Sequence, residues 1–91
     1  MEEKVLTLHP QGKKGVNIAK DKYDVMRETI TVVLKAKSLS HDELTGAVEK
    51  ALKGKFSGAI PWYMESVKLD LEARKVIERI AGKPYDVYRL R

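Results

Sequence analysis

The stretch Val67–Leu90, VKLDLEARKVIERIAGKPYDVYRL, decides how the rest of the chain is read. Val67 and Leu71 continue a row begun by Ile60 and Met64. Steps of three or four residues predict one apolar face of a helix. Pro61 suits the first turn of that helix, where its missing N–H would have no partner. The helical period ends near Arg74. Val76-Ile77-Glu78-Arg79-Ile80 then reads as a strand, Ala81-Gly82-Lys83-Pro84 as a turn, and Tyr85–Leu90 as an alternating strand with Tyr88 and Leu90 on one face. A helix over 58–74 therefore feeds a hairpin over 76–90.

Upstream, Ser40-His41-Asp42-Glu43 fits a capping box, with Ser40 as N-cap and Glu43 three residues on. Leu44, Ala47, Val48, Ala51 and Leu52 follow it at helical spacing, and Gly54 is placed to end that helix. This predicts a helix over 40–53. Asp21 is a candidate N-cap for a helix over 20–37, whose apolar stripe is Tyr23, Met26, Ile30, Val33 and Leu34. The β-branched run Thr29–Val33 favours a strand on propensity, but the helical period holds for more than three turns and decides for helix. Before it, Lys4–Leu8 and Gly15–Ala19 both alternate. They flank the breaker-rich turn His9–Gly15 and predict a paired N-terminal extension within 1–19. In the first strand Leu6 and Leu8 share one face, with Val5 and Thr7 on the other.

The 91 residues thus read as one α+β domain, mainly α: a short N-terminal strand or hairpin, three helices and a C-terminal hairpin. Cysteine is absent, which excludes disulfides, thiolate metal sites and thiol catalysis. The longest run without a charge, Phe56–Met64, falls far short of the ~20 residues that span a bilayer. The N-terminus Met1-Glu2-Glu3-Lys4 is acidic and lacks the apolar core of a signal peptide, so a cytoplasmic location without membrane partners is expected.

Three helices followed by a two-stranded hairpin is the layout of a winged helix. Val67–Leu90 resembles the passage from the third helix into the wing of that family. Leu71-Glu72, Ile77-Glu78-Arg79, Gly82-Lys83 and Tyr88-Arg89-Leu90 occupy the places of the helix end, the first strand, the basic wing and the return strand. Where many members have glycine before the first strand, this chain has Lys75, so a non-glycine residue must close that turn. The whole chain also resembles a family of small prokaryotic proteins of unknown function. LHPQGKKGVNI at Leu8–Ile18, the Tyr23 helix and PWYMESVKLDLEARKVIER at Pro61–Arg79 carry this second resemblance.

For function, charge is the first guide. The formal net charge is +5, and residues 75–91 concentrate five cations against Glu78 and Asp86. Lys68, Lys75, Arg79, Lys83, Arg89 and Arg91 are the candidate phosphate contacts, with Tyr85 as an exposed ring for stacking on a base. DNA is then the expected partner, through the wing. The third helix itself argues against base reading. The arc opposite its apolar row holds Trp62, Glu65, Ser66, Leu69, Glu72 and Ala73, two carboxylates and two large apolar side chains among them. Trp62 and Leu69 instead suggest a second covered face. Residues 4–19, a second copy or another protein would cover it, or the helix is rotated so that Trp62 is core. A protein-interaction or homodimerisation module therefore stands beside the DNA reading.

Enzymatic chemistry finds little purchase. His9 and His41 lie on different elements, and no catalytic residue, metal site or cofactor is expected. Gly12-Lys13-Lys14-Gly15 lacks phosphate-loop spacing and reads as a turn. Asp70 and Glu72 read as charged surface.

Overall fold

The computed structural model describes residues 3–91; Met1 and Glu2, part of the expected 1–19 extension, lie outside the described residues. About half of the chain is helical, and the strands are antiparallel. The elements run β1 (Lys4–Leu6), β2 (Asn17–Ala19), α1 (Lys20–Ala36), β3 (Leu39–Ser40), α2 (His41–Leu52), α3 (Ile60–Ala73), β4 (Ile77–Ile80) and β5 (Val87–Leu90).

The helices form where apolar residues recur with the helical period. Tyr23, Met26, Ile30 and Leu34 are buried from α1, and Val33 is half-buried. Helix α1 starts one residue before the expected cap. Asp21 is therefore inside its first turn, and no side chain caps it. Helix α2 has both halves of the capping box: the Glu43 N–H donates to Ser40 Oγ, and the Ser40 N–H donates to Glu43 Oε1. The backbone hydrogen bond from Ser40 also holds the Glu43 carboxyl below its ordinary range. Leu44, Val48 and Leu52 face inward from α2, and Met64, Val67 and Leu71 from α3. These side chains meet Ile18, Leu39, Ile77 and Tyr88 in a single core.

Two small sheets flank the helices. Strands β1 and β2 pair antiparallel with Val5 opposite Ile18. The second sheet has the order β3-β5-β4, with Arg79 opposite Tyr88 and Leu39 opposite Tyr88 on the other side. Strand β3 is an addition to the expected layout. Two residues between α1 and α2 are too few to show a period, yet they tie the C-terminal hairpin to the helical layer and bury Leu39. The N-terminal alternation holds with one orientation. Thr7 and Val5 turn inward, leaving Leu6 and Leu8 exposed.

Ser40 serves both β3 and the cap of α2. Replacing it with alanine removes the acceptor for the Glu43 N–H, a loss of about 1 kcal/mol for a helix cap. We expect Ser40→Ala to lower the urea midpoint without changing the denaturant slope; an unchanged midpoint would show that the cap contributes nothing.

Candidate functional site

Two charged side chains of α3, Lys68 and Asp70, are buried while Glu65 is exposed, so Asp70 is not the charged surface that the sequence suggested. Asp70 is 0% exposed, and its carboxylate collects donors from three parts of the chain. The Leu8 N–H donates to Asp70 Oδ1 at 2.8 Å. The Tyr23 hydroxyl, from α1, donates to Oδ2. Arg74, one turn along α3, donates through Nε at 2.9 and 3.0 Å to the two carboxylate oxygens. A buried carboxylate is tolerated only when it is paired and hydrogen-bonded in this way. Burial, followed by the hydrogen bond to Asp70, pushes the Tyr23 phenol up to about 12. The same carboxylate raises Arg74 above its ordinary value.

The Leu8 contact fixes the N-terminal arm across α3. Thr7 is buried, its N–H donating to the Val16 carbonyl at 2.9 Å while its Oγ1 accepts from the Val16 N–H at 3.0 Å. Gly15 sits tight against this pair. A β-carbon there would stand 1.7 Å from the Thr7 carbonyl oxygen, so only glycine lets the arm close. Thr7, Leu8 and the Lys14–Val16 turn meet Ser66 and Leu69 of α3 around a small cleft. Leu69 is accordingly half-buried, whereas Trp62 stays 47% exposed, its ring edge-on to Tyr63. Of the two residues expected to share a covered face, the arm reaches one.

The cations expected to contact phosphate, with the two arm lysines, separate into three groups. Lys68 is only 4% exposed, with its ammonium 4.0 Å from the centre of the Tyr88 ring. A cation seated there is closed to a phosphate, so Lys68 departs from the expected set of contacts. Arg79 and Arg89 lie on the hairpin but face carboxylates of this chain. Arg79 Nε is 3.3 Å from Glu72 and Nη1 is 3.7 Å from Asp86, while Arg89 Nη2 is 3.6 Å from Glu78. Lys75, Lys83 and Arg91 have no ion-pair partner among the described residues, nor do Lys13 and Lys14 on the arm. Tyr85, beside Lys83, is exposed.

Lys75 is held in an unusual backbone conformation. Its φ is +64°, the left-handed region. There the Val76 N–H donates to the Leu71 carbonyl at 2.9 Å and the Lys75 N–H to the Glu72 carbonyl at 3.1 Å. This pair of bonds closes a helix end that ordinarily uses glycine, and a residue with a β-carbon is disfavoured there by about 1 kcal/mol. The lysine at this turn is thus a local cost of the kind that collects at functional sites. The Arg91 N–H donates to the Val76 carbonyl, which brings the chain's last cation to the same turn. Among the described residues, no group of three or more His, Asp or Glu side chains is placed to hold a metal ion, and no helix is long and apolar enough to cross a membrane.

A family model described as "Family of unknown function (DUF6958)" matches residues 4–87. The chain belongs to this family. The span matched by DUF6958 begins with β1 and ends at the start of β5, and so contains Asp70 and all of its donors. No curated protein matches the chain.

Two outcomes follow from the Asp70 cluster. Asp70→Asn weakens acceptors for buried donors and should cost about 2 kcal/mol or more of stability in urea unfolding. The Leu8 amide should exchange its hydrogen faster than core amides of the same variant; equal protection of Leu8 would mean that the carboxylate does not hold the arm. Tyr23 makes the fold sensitive to alkali. Its folded value lies above the free value of 10.0, so the fold prefers the neutral phenol. That contribution is complete below pH 10 and is lost as the pH climbs to about 12. Tyrosinate absorbance should therefore include a step at about pH 12 that Tyr23→Phe deletes, and an unchanged curve in that variant would contradict it.

Proposed function

We propose that this chain is a non-catalytic, winged-helix-like domain that binds nucleic acid through phosphate contacts and does not read bases with its third helix. The hairpin β4–β5 follows α3 directly, as a wing would, with β3 added as a third strand. The observation that carries the reading is which cations of the arm, the α3–β4 turn and the hairpin remain unpaired. The arm lies over part of the outer side of α3, and Arg79 and Arg89 are engaged by carboxylates. Lys13, Lys14, Lys75, Lys83 and Arg91 are left to act on an outside anion. They belong to the arm, the α3–β4 turn, the tip of the wing and its base. Tyr85 adds an exposed ring at the tip.

A second reading rests on Trp62. An indole 47% exposed at the start of α3 is a suitable anchor for a second copy or another protein.

Fluorescence anisotropy with a labelled duplex separates the two. If five cations each neutralise one phosphate, affinity should fall about 500-fold between 50 and 200 mM salt, and Lys83→Ala should reduce the logarithmic salt slope by about one. Absence of binding at 50 mM salt, by the duplex and by a single strand alike, would overturn the nucleic-acid reading. If light scattering then shows an oligomer that Trp62→Ala dissolves, the interaction reading takes its place.

A further inference from the structure

An open groove of about 620 Å³ runs between the N-terminal arm and the C-terminal end of α3. Its lining combines two kinds of surface. Leu6, Leu8 and Pro10 supply apolar area, and the two leucines are 56% and 44% exposed. Lys13, Lys14 and Lys75 supply positive charge. Glu72, the one carboxylate among the described lining residues, is engaged with Arg79 at 3.3 Å, so it does little to offset the three ammonium groups.

Three parts of this groove are fixed by backbone bonds or conformation. Asp70 fixes Leu8, and the Gly12 N–H donates to the His9 carbonyl at 2.9 Å to shape the loop that carries Lys13 and Lys14. Lys75 stands on the opposite lip in the left-handed conformation described above. Glycine would relieve that backbone, so the lysine side chain stands there against the local preference. Its position across the groove from Lys13 and Lys14 supplies a reason.

We infer that this groove seats one unpaired nucleotide of a nucleic-acid strand. The phosphates lie against Lys13, Lys14 and Lys75, and the base packs on Leu6, Leu8 and Pro10. A flat apolar body carrying a phosphate matches both kinds of lining, and apolar side chains do hold bases removed from the stack. A base still paired inside a duplex cannot enter a groove of this kind. The inference rests on the nucleic-acid reading above and deepens it: an unpaired strand is the preferred ligand and the arm is part of its site.

The test compares labelled oligo-dT of twelve nucleotides with a twelve-base-pair duplex at 50 mM salt, beside a glutamate-rich peptide. The single strand should bind more tightly than the duplex. Each lost phosphate contact should weaken it about tenfold, so Lys13→Ala with Lys14→Ala should weaken it about a hundredfold. Lys75→Gly is the sharper variant, because it should raise Tm by about 2–5 °C while lowering strand affinity. Leu8→Glu should weaken the strand as well.

If the duplex binds at least as tightly and the arm lysines do not matter, the groove is not the site, while the nucleic-acid reading stands. Lys75→Gly with a raised Tm and unchanged strand affinity also overturns the inference. Binding of neither nucleic acid removes both proposals, and binding of the acidic peptide alone assigns the groove to a protein segment.

Discussion

The carboxylate of Asp70 is withdrawn from water completely, and three segments of the chain supply the donors that make this tolerable. An unpaired carboxylate in that position would cost several kcal/mol. Leu8 lies 62 residues away in sequence and Tyr23 lies 47 away, so neither bond is local. The consequence is mechanical as well as energetic. The arm cannot leave α3 without uncovering Asp70, and α1 cannot slide along α3 without losing the phenol. Arg74 closes the cluster toward solvent, where its guanidinium is partly exposed. The position of the arm, the partial burial of Leu69 and the groove beside Lys75 all depend on this one charge.

A second buried charge works on another side of the same helix. Lys68 reaches the ring of Tyr88, which is itself paired with Leu39 and Arg79 in the three-stranded sheet. An ammonium over a tyrosine face is worth about 2 kcal/mol when desolvated. Helix α3 is therefore enclosed by the core through Met64, Val67 and Leu71, by the sheet through Lys68 and by the arm through Asp70. A helix covered in several directions does not divide into an inner and an outer face. The sequence argument from an opposite arc assumed that it did, and Leu69 and Glu72 consequently have intramolecular neighbours.

Much of this fold is legible in the residues because local chemistry specifies it. The Ser40–Glu43 box needs only four consecutive residues, and the period of α1 overrides its β-branched run because it persists for several turns. The glycine-like turn at Lys75 is implied by the winged-helix resemblance, in which many members have glycine at that place. What remained hidden depends on distant partners. Alternation gives β1 its period but not which face turns inward, and Thr7 is drawn in by its bonds to Val16 rather than by hydrophobicity. Asp70 and Lys68 look like any other charges on a polar helix. A single sequence offers no sign that a tyrosine and a backbone amide far upstream converge on one, or that an aromatic ring on a later strand meets the other. The two residues of β3 are too few to carry a pattern.

The same reasoning changes what the net charge means. Cations that find carboxylates within the chain contribute to the total but offer little to a partner. Arg79 and Arg89 are of this kind, and together they were much of the basic character of the hairpin. Lys13 and Lys14 sit in what reads locally as an ordinary turn, yet the arm carries them to the lip opposite Lys75. The outward charge is therefore set by tertiary placement: Asp70 positions the arm, the arm positions its lysines, and the helix end holds a third lysine against its backbone preference. Reading bases in a groove would require a cleared helix face, and the arm leaves α3 without one along Ser66 and Leu69.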